Sequence, residues 1–575
     1  MNILVTGCSS GIGREAALAL VARGHTVHAG VRDPIWESSP AGDATWWERT
    51  PPRSSPPPRC SPTTQARAPS RSCSAPTSAA DEAWRSGREL ARVRARHRTR
   101  ALRSPRRRRT MGRMLSAHPA SAQEADLSHA LATAVLGVDT LWGGDVLSAS
   151  GTGRFIADSW FADAPLPAAY GCAEAALLRR SGGVGAKALS PEVVAEIDRY
   201  RAAVDVPGAI SQVAGAARSA GGLRGATLAG LAEAVQVMWE LALERLGRGP
   251  AVPYERCVLA STGRAPTPAD PAEKREQVRA LLSRGGHRVD TPEALLAAVD
   301  AWRAERRVPA KAIPMLAEAF IARLEAGTLR HVVPHLPASL REIPRANVAF
   351  LPITDAWFSG SMNYLGRART AVGLPEYEAT YELNAQLEIS VPEFAQLVSH
   401  EVVPGHVTTF ALLQALHVQG ALGFEATLLT MNTRYATLSE GIANNALLLA
   451  LGVRRVEDLP DPDLRLALHL ALLQDDAKSQ SSWLTWREGA AQADVAATLR
   501  RDFLCSAERA DKLSGAWGRH PLMGRMYLPA YRAGTEKVAA LLAAHPLERL
   551  VPALYGARGM ADVVTIDEVL GLPDP

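Results

Sequence analysis

The stretch QLVSHEVVPGHVTTF, residues 396–410, pairs a histidine with a glutamate and places the next histidine at an unusual distance. In the common His-Glu-x-x-His pattern, two histidines four residues apart on one helix face bind zinc, and the glutamate between them is the general base. Here Pro404 stands four residues after His400, and the next histidine is His406. On a straight helix the two histidines would lie about 120° apart, too far around to share one metal ion.

The Pro404-Gly405 pair can restore such a site. Pro404 cannot donate a hydrogen bond to the carbonyl of His400 and its ring pushes that carbonyl away, while Gly405 frees the backbone just after it. We therefore predict a bulge that opens the helix and returns His406 to the face of His400. Both histidines would then bind one Zn²⁺, with Glu401 as the catalytic base.

A zinc site of this kind needs a third protein ligand. The stretch NTRYATLSEGIANNALLLALG, residues 432–452, has helical spacing of its apolar residues and carries Glu440, with Asn444 one turn later. We predict Glu440 as the third ligand and Asn444 as the partner that orients a ligating histidine. Glu425 and Glu488 also lie on predicted helices and are the alternative acidic ligands.

Most of the chain from about residue 120 has the apolar spacing of amphipathic helices. We predict a mostly α fold, with one large helical domain over residues 116–575 and a small β edge. Trp239 and Trp302 are expected in its core. The clearest helical segments are SPEVVAEIDRYRAAV at 190–204, TLAGLAEAVQVMWELALERL at 227–246, TPEALLAAVDAWRAERR at 291–307 and AKAIPMLAEAFIARLEAG at 310–327.

One short segment, YELNAQLEISVP at 381–392, alternates apolar and polar residues. This pattern predicts a half-exposed strand over residues 383–391, which runs into the helix carrying His400. Ser390 and Glu393 form a predicted capping box at the start of that helix. The exposed edge of the strand would align an extended peptide substrate by backbone hydrogen bonds, or it would only tie the sheet together.

The first 34 residues read as strand, glycine turn, helix and strand. The turn TGCSSGIG, with Gly7, Gly11 and Gly13, resembles the cofactor turn of short-chain dehydrogenases/reductases, where such glycines let the backbone approach a pyrophosphate. That family also needs a Tyr-x-x-x-Lys pair, which this chain lacks. We interpret residues 1–34 as a truncated Rossmann βαβ fragment with vestigial cofactor-binding glycines, and we expect no NAD(P) binding.

Residues 35–115 are rich in Pro, Ser and Arg and show no periodicity, which is typical of disorder. Ten arginines in residues 91–110 could bind nucleic acid or an acidic membrane. The favoured interpretation is GC-rich DNA translated out of frame, with Met111 or Met114 as the natural start.

Charge and composition exclude some classes of binding partner for the helical domain. Residues 1–110 hold 20 basic and 8 acidic residues, whereas the other 465 hold 44 basic and 51 acidic residues, so the main body is acidic and no specific nucleic-acid partner is expected. No apolar run reaches the ~18 to 20 residues of a membrane span, so no membrane partner is expected either. Six scattered cysteines without a C-x-x-C spacing indicate reduced thiols and a cytoplasmic protein.

Several motifs together resemble a bacterial family of metallopeptidases with a His-Glu-x-x-Pro-Gly-His signature, catalogued as a domain of unknown function, mostly helical and similar to gluzincins. The chain departs from the family at Val407, where a histidine is typical, and at Ile442-Ala443, where Trp-Ala is typical, which places it in a divergent branch. The motifs are HEVVPGH at 400–406, SEGIANNALLLA at 439–450, WLTWREGAAQADVAATL at 483–499 and YLPAYRAGTEKV at 527–538.

The resemblance implies metal binding by His400, His406 and Glu440, with Glu401 as base and a late active-site tyrosine, Tyr531. From the residues alone, Tyr527 and His520 are the alternative donors to a developing oxyanion, and packing in the core is the other role for the tyrosines.

We therefore predict a zinc-dependent hydrolase of peptide or small amide bonds, with one Zn²⁺ per chain. The alternative is a non-catalytic helical binding or scaffold protein of the same fold. A remote third possibility is an NAD(P)-dependent oxidoreductase built on the first 34 residues.

Overall fold

The computed structural model describes residues 2–6, 26–30, 121–148, 150–353, 360–370, 373–384 and 389–572. Strands β1 (Asn2–Thr6) and β2 (Thr26–Gly30) form a parallel pair in which Asn2 lies opposite Thr26. Gly7, Gly11 and Gly13 and the predicted linker 35–115 lie outside the described residues.

Helices make up most of the described chain, which confirms the mostly α prediction. They are α1 (Ala122–Leu141), α2 (Ala168–Gly171), α3 (Ala173–Ser181), α4 (Pro191–Ala203), α5 (Val206–Ala220), α6 (Gly222–Arg245), α7 (Tyr254–Thr262), α8 (Ala272–Arg284), α9 (Pro292–Glu305), α10 (Ile313–His331), α11 (Val391–Glu401), α12 (His406–Val418), α13 (Arg434–Asn444), α14 (Ala446–Leu451), α15 (Pro462–Trp486), α16 (Gln492–Phe503), α17 (Ala507–Lys512), α18 (Leu528–Ala544), α19 (Leu547–Leu554) and α20 (Ile566–Gly571). Two π-helical turns, Leu513–Trp517 and Met523–Tyr527, precede α18.

Two small sheets lie within the helical body. Strand β3 (Ala157–Trp160) pairs antiparallel with β7 (Leu428–Thr430). Strand β6 (Ala379–Asn384) lies between β4 (Val348–Ile353), which runs parallel to it, and β5 (Gly360–Tyr364), which runs antiparallel. Strand β5 is therefore an edge strand of its sheet.

The predicted strand over residues 383–391 is confirmed only at its start and is wrong at its end, where Val391 begins α11. Strand β6 ends at Asn384, residues 385–388 lie outside the described residues, and Ser390 makes an isolated bridge to Arg307. Strand β6 is also paired on both sides, so it offers no free edge to a substrate. Alternation reports which face of a strand is apolar but says nothing about how many neighbours the strand has.

Side chains cap the starts of several helices. Ser190 and Thr291, the first residues of two predicted helical segments, cap their helices by accepting hydrogen bonds from the backbone N–H groups of Val193 and Ala294, at 3.4 and 3.1 Å. The capping box of Ser390 with Glu393 is also present.

Three hydrophobic clusters form the core. One surrounds the β4–β6 sheet and includes Phe320, Tyr381 and Phe394. A second joins α1 to α4, α5 and α6, and the third joins α8 and α9 to α15 and α16. Trp239 and Trp302, predicted core residues, are 5% and 1% exposed.

Helix α6 is long and apolar enough to cross a bilayer by length and composition, and 61% of its most apolar window is buried inside the protein. Helices α13 and α14 meet the same criterion only when taken together across a 43° bend. Burial within a protein core is the ordinary fate of such helices in a folded domain.

Candidate metal centre

The histidine motif spans two helices. The sequence analysis had predicted a single helix with a bulge. Helix α11 ends at Glu401 and α12 begins at His406, so residues 402–405 form a sharp connection. Pro404 has no N–H for an intrahelical hydrogen bond, which permits a full break as well as the expected bulge. The consequence for the histidines is nevertheless the predicted one, because their rings lie 4.8 Å apart, centroid to centroid, and perpendicular.

Backbone contacts hold this connection. Gly405 donates a hydrogen bond to the carbonyl of Ser399 at 3.1 Å, and the hydroxyl of the buried Tyr555 donates to the carbonyl of Pro404 at 2.8 Å. A Cβ atom at Gly405 would collide with the carbonyl oxygen of His400. The glycine is therefore required by the close approach of the two helix ends.

Helix α13 brings Glu440 to the histidines. Nε2 of His400 lies 3.5 Å from Oε2 of Glu440, and Nε2 of His406 lies 3.8 Å from Oε1. One ligand atom from each of the three side chains fits within 4.8 Å of the other two. The structure therefore brings together all three predicted ligands.

A hydrogen-bonded network fixes the orientation of His400. The amide nitrogen of Asn444 donates to Oδ2 of Asp475 at 2.8 Å and to the hydroxyl of Thr535 at 2.7 Å. The amide oxygen of Asn444 must then accept from Nδ1 of His400, 2.8 Å away. This arrangement leaves the Nε2 lone pair of His400 facing Glu440, as expected for an outer partner of a metal ligand.

The charges of the cluster suit a divalent cation. Burial, followed by the neighbouring His406, lowers the pKa of His400 well below its usual range, and burial lowers the pKa of His406 to about 4. Both rings are then neutral at pH 7, with Nε2 lone pairs aimed at a carboxylate. Oε2 of Glu440 is a buried oxygen that accepts no hydrogen bond within the described structure. Acceptor thus faces acceptor, which costs free energy unless a cation or a proton lies between them.

Glu401 lies beside this cluster, on the wall of the same cavity. Burial, then the negative charges of Glu440 and Asp158, raise the pKa of Glu401 well above its usual range, while the backbone N–H of Met362 favours the ionised form. A carboxylate with a raised pKa can both accept a proton and return it.

The two late tyrosines form a relay to Glu440. The hydroxyl of Tyr527 donates to Oε1 of Glu440 at 2.8 Å, and the hydroxyl of Tyr531 donates to that of Tyr527 at 3.0 Å. The predicted Tyr531 is therefore one hydrogen bond further from the ligands than Tyr527. Helix α18 can approach α13 this closely because Gly441 has no side chain. A Cβ atom at Gly441 would collide with the carbonyl oxygen of Gly534.

The remaining sequence alternatives lie elsewhere. Glu425 is bound to Arg224 in a 2.8 Å ion pair, and Glu488 accepts a hydrogen bond from the indole of Trp483. His520 accepts backbone hydrogen bonds at its Nδ1 and packs against aromatic rings. None of these three predicted alternatives lines the cavity.

The cavity has a volume of about 310 Å³ and contains groups that the sequence analysis missed. Asp158 on β3, Lys478 on α15 and Arg509 on α17 lie on its wall, as do Gly360 and Met362 of β5. The signal available for Lys478 was a polar run, QDDAKSQSS at 474–482, within an otherwise apolar helix. Asp158 and Arg509 carry no comparable signal, because only the fold brings them to the cavity.

Comparisons with known proteins leave the family open. No family model matches the chain, and no curated protein matches it. The solved structures that are similar include the "putative lipoprotein" of Colwellia psychrerythraea, with 13% identity, a TM-score of 0.42 and coverage of 70% of this chain and 67% of that one, and a second such protein, of unknown function, from Shewanella oneidensis, with 13% identity, a TM-score of 0.40 and coverage of 68% and 69%.

Proposed function

We propose that the helical domain is a zinc-dependent hydrolase of peptide or small amide bonds with a zincin-like site. The observation that supports this most strongly is the buried cluster of His400, His406 and Glu440, whose acceptor atoms face one another beside Glu401. A structural metal site has no use for a general base next to a ligand, whereas hydrolysis requires one. We also propose a cytoplasmic location.

The ligands present fit the ion, since two neutral imidazoles and a carboxylate are a common zinc set with room for a further ligand. Zn²⁺ bound there supplies a Lewis acid that activates water and polarises an amide carbonyl. Asn444 keeps the Nδ1 proton of His400 in place and thereby keeps its Nε2 free.

The carboxylate of Glu401 carries the protons of the reaction. It takes one proton from the attacking water and delivers it to the leaving nitrogen as the amide bond breaks. Tyr531 is our candidate donor to the developing oxyanion, and Tyr527 orients Glu440 through its 2.8 Å hydrogen bond.

The peptide-aligning edge is assigned to β5, which replaces the edge predicted for residues 383–391. Gly360, Ser361 and Met362 line the cavity, and among the described strands β5 has a neighbour on one side only. An extended substrate can add to this edge by backbone hydrogen bonds.

The test compares Glu401→Gln with the wild type on a peptide library, read by mass spectrometry. The exchange keeps the volume of the side chain and removes the proton acceptor, so hydrolysis should fall on the order of 10³-fold while bound zinc stays at the wild-type level. Equal hydrolysis by both proteins would refute the proposal, and a zinc-loaded protein that cleaves no amide would favour the scaffold alternative.

A further inference from the structure

One wall of the cavity carries a nearly buried lysine with an incomplete set of partners. The Lys478 side chain is 12% exposed, and its ammonium lies 3.0 Å from Oδ1 of Asp475 and 3.2 Å from the centroid of the Tyr531 ring. Within the described residues, Asp475 is the only hydrogen-bond acceptor that this ammonium reaches. An ammonium has three N–H donors; Asp475 accepts one and the face of the Tyr531 ring lies against another, so one remains for a group inside the cavity.

The counter-ions of Lys478 are shared with other groups. The carboxylate of Asp475 also accepts hydrogen bonds at Oδ2 from Asn444, at 2.8 Å, and from Thr535, at 2.9 Å. Glu440, the second carboxylate that favours the charged lysine, accepts a hydrogen bond from Tyr527, whereas burial and the charge of Arg509 lower the pKa of Lys478. A buried cation whose counter-ions are shared is stabilised when a further anion binds.

Lys478 lines the same cavity as the proposed zinc ligands. Lys478 connects to His400 through Asp475 and Asn444, and it connects to Glu440 through the two tyrosines. Along the tyrosine path, the contacts and the size of a phenol ring place the ammonium at most about 12 Å from Oε1 of Glu440. The terminal carboxylate of a peptide lies about 3.5 Å beyond the cleaved carbonyl when one residue leaves and about 7 Å beyond it when two leave.

We propose that Lys478, with Arg509 beside it, binds the free C-terminal carboxylate of a peptide, so that the enzyme removes residues from the C-terminus. This rests on the proposed hydrolase function and adds the substrate class. The substrate would run along β5 with its C-terminal end at Lys478. Water adds its oxygen to the carbonyl, the C–N bond breaks, and the leaving nitrogen takes up a proton, which yields a shortened peptide and a free amino acid or dipeptide.

Aspartate and glutamate side chains offer the same carboxylate chemistry as a chain terminus. The experiment therefore uses three versions of one hexapeptide: the free acid, the C-terminal amide, and the amide with glutamate as its last residue. Full-length wild type, Lys478→Met, Lys478→Arg and Lys512→Met are compared by mass spectrometry. Lys512 is the matched control, because it lies on α17 beside Arg509 and pairs with Glu508 on the surface.

We expect the wild type to cleave the free acid roughly 10- to 100-fold faster than either amide, the range of a charge-assisted hydrogen bond. In Lys478→Met this preference should disappear, in Lys478→Arg it should largely return, and in Lys512→Met it should match the wild type. Faster cleavage of the glutamate amide than of the plain amide, equal to that of the free acid, would assign the site to an acidic side chain and overturn the C-terminal assignment. Equal cleavage of all three peptides would overturn the proposal entirely.

Failure of the hydrolase function is separated from failure of this inference by a binding measurement. If no peptide is cleaved, calorimetric titration with N-acetyl-phenylalanine and with N-acetyl-phenylalaninamide still reports on Lys478. At least tenfold tighter binding of the acid by the wild type, lost in Lys478→Met, would support the carboxylate site without hydrolysis. Equal affinity for the acid and the amide would refute it.

Discussion

Two buried carboxylates, Asp139 and Glu440, share a raised pKa but differ in what surrounds them. Burial raises the pKa of each to about 7, and each keeps one oxygen without a hydrogen bond from the described residues. Oδ1 of Asp139 accepts from the backbone N–H groups of Ile156 and Ala157, at 2.8 and 3.0 Å. Asp139 therefore ties α1 to β3, as a backbone carbonyl would.

The unpaired oxygen of Glu440, Oε2, faces a hydrogen-bond acceptor. A carboxylate with a structural role faces donors, as Oδ1 of Asp139 does. Oε2 of Glu440 lies 3.5 Å from Nε2 of His400, a neutral ring whose other nitrogen is bound by Asn444. Burial and a raised pKa alone do not separate the two carboxylates, but the partners do. An unpaired oxygen directed at lone pairs, on the wall of a cavity, is consistent with the zinc site that we propose.

The largest expected difference concerns zinc and activity. Glu440→Gln should lose bound zinc and reduce hydrolysis on the order of 10³-fold or more, because the amide is a poor ligand and the charge of the site changes. Asp139→Asn should keep both the zinc and the activity. Zinc content and peptide cleavage would be measured on both variants. An equal loss of zinc from the two would contradict the distinction drawn between Glu440 and Asp139.

A smaller loss of zinc affinity is expected for a change at Asp475, which contacts Asn444, the partner of His400. Asp475→Asn removes the negative charge and leaves a single acceptor oxygen where two now serve Asn444, Thr535 and Lys478, so the affinity for zinc should fall about 10- to 100-fold. Asp476→Asn is the matched control, because the adjacent Asp476 is also buried but binds Lys274 and lies near Arg532. Its loss should lower the free energy of unfolding and leave zinc affinity unchanged, as measured by competition with a chelator.

The last prediction, a pH dependence of stability, concerns Asp139 alone. Burial raises its folded pKa to about 7, above the ordinary value of 3.8 for an aspartate, so between these pH values the folded state holds a proton that the unfolded state has released. The free energy of unfolding should therefore fall as pH rises from about 4 to 7, by a few kcal/mol. Denaturant titrations at pH 5 and pH 7.5 should show a smaller fall in Asp139→Asn, and an identical fall would contradict this assignment.

The sequence predicted the ligands because their signals are local. His400, Glu401 and His406 lie within seven residues, and Glu440 lies on a helix whose apolar spacing is regular. The break between α11 and α12 could not be distinguished from a bulge, because Pro404 and Gly405 permit both. Only the packing of Tyr555 against the carbonyl of Pro404 shows which one the chain adopts.

Other features depend on contacts between distant segments. Lys478 reaches the cavity through its helix packing, and Asp158 reaches it through the pairing of β3 with β7. The edge strand β5 was missed because its sequence, GSMNY, lacks the alternation that marked residues 383–391. A strand that borders a cavity on one face need not show a regular pattern.

The central claim is that His400, His406 and Glu440 form one zinc site, and zinc content tests it most directly. Mass spectrometry of the full-length wild type should find about one zinc per chain, His406→Ala should have lost it, and His469→Ala should retain it. His469 is a suitable control because it is buried and lies 3.9 Å from Glu457, yet belongs to no such cluster within the described residues. Absence of zinc from the wild type, or equal zinc in all three proteins, would contradict the account.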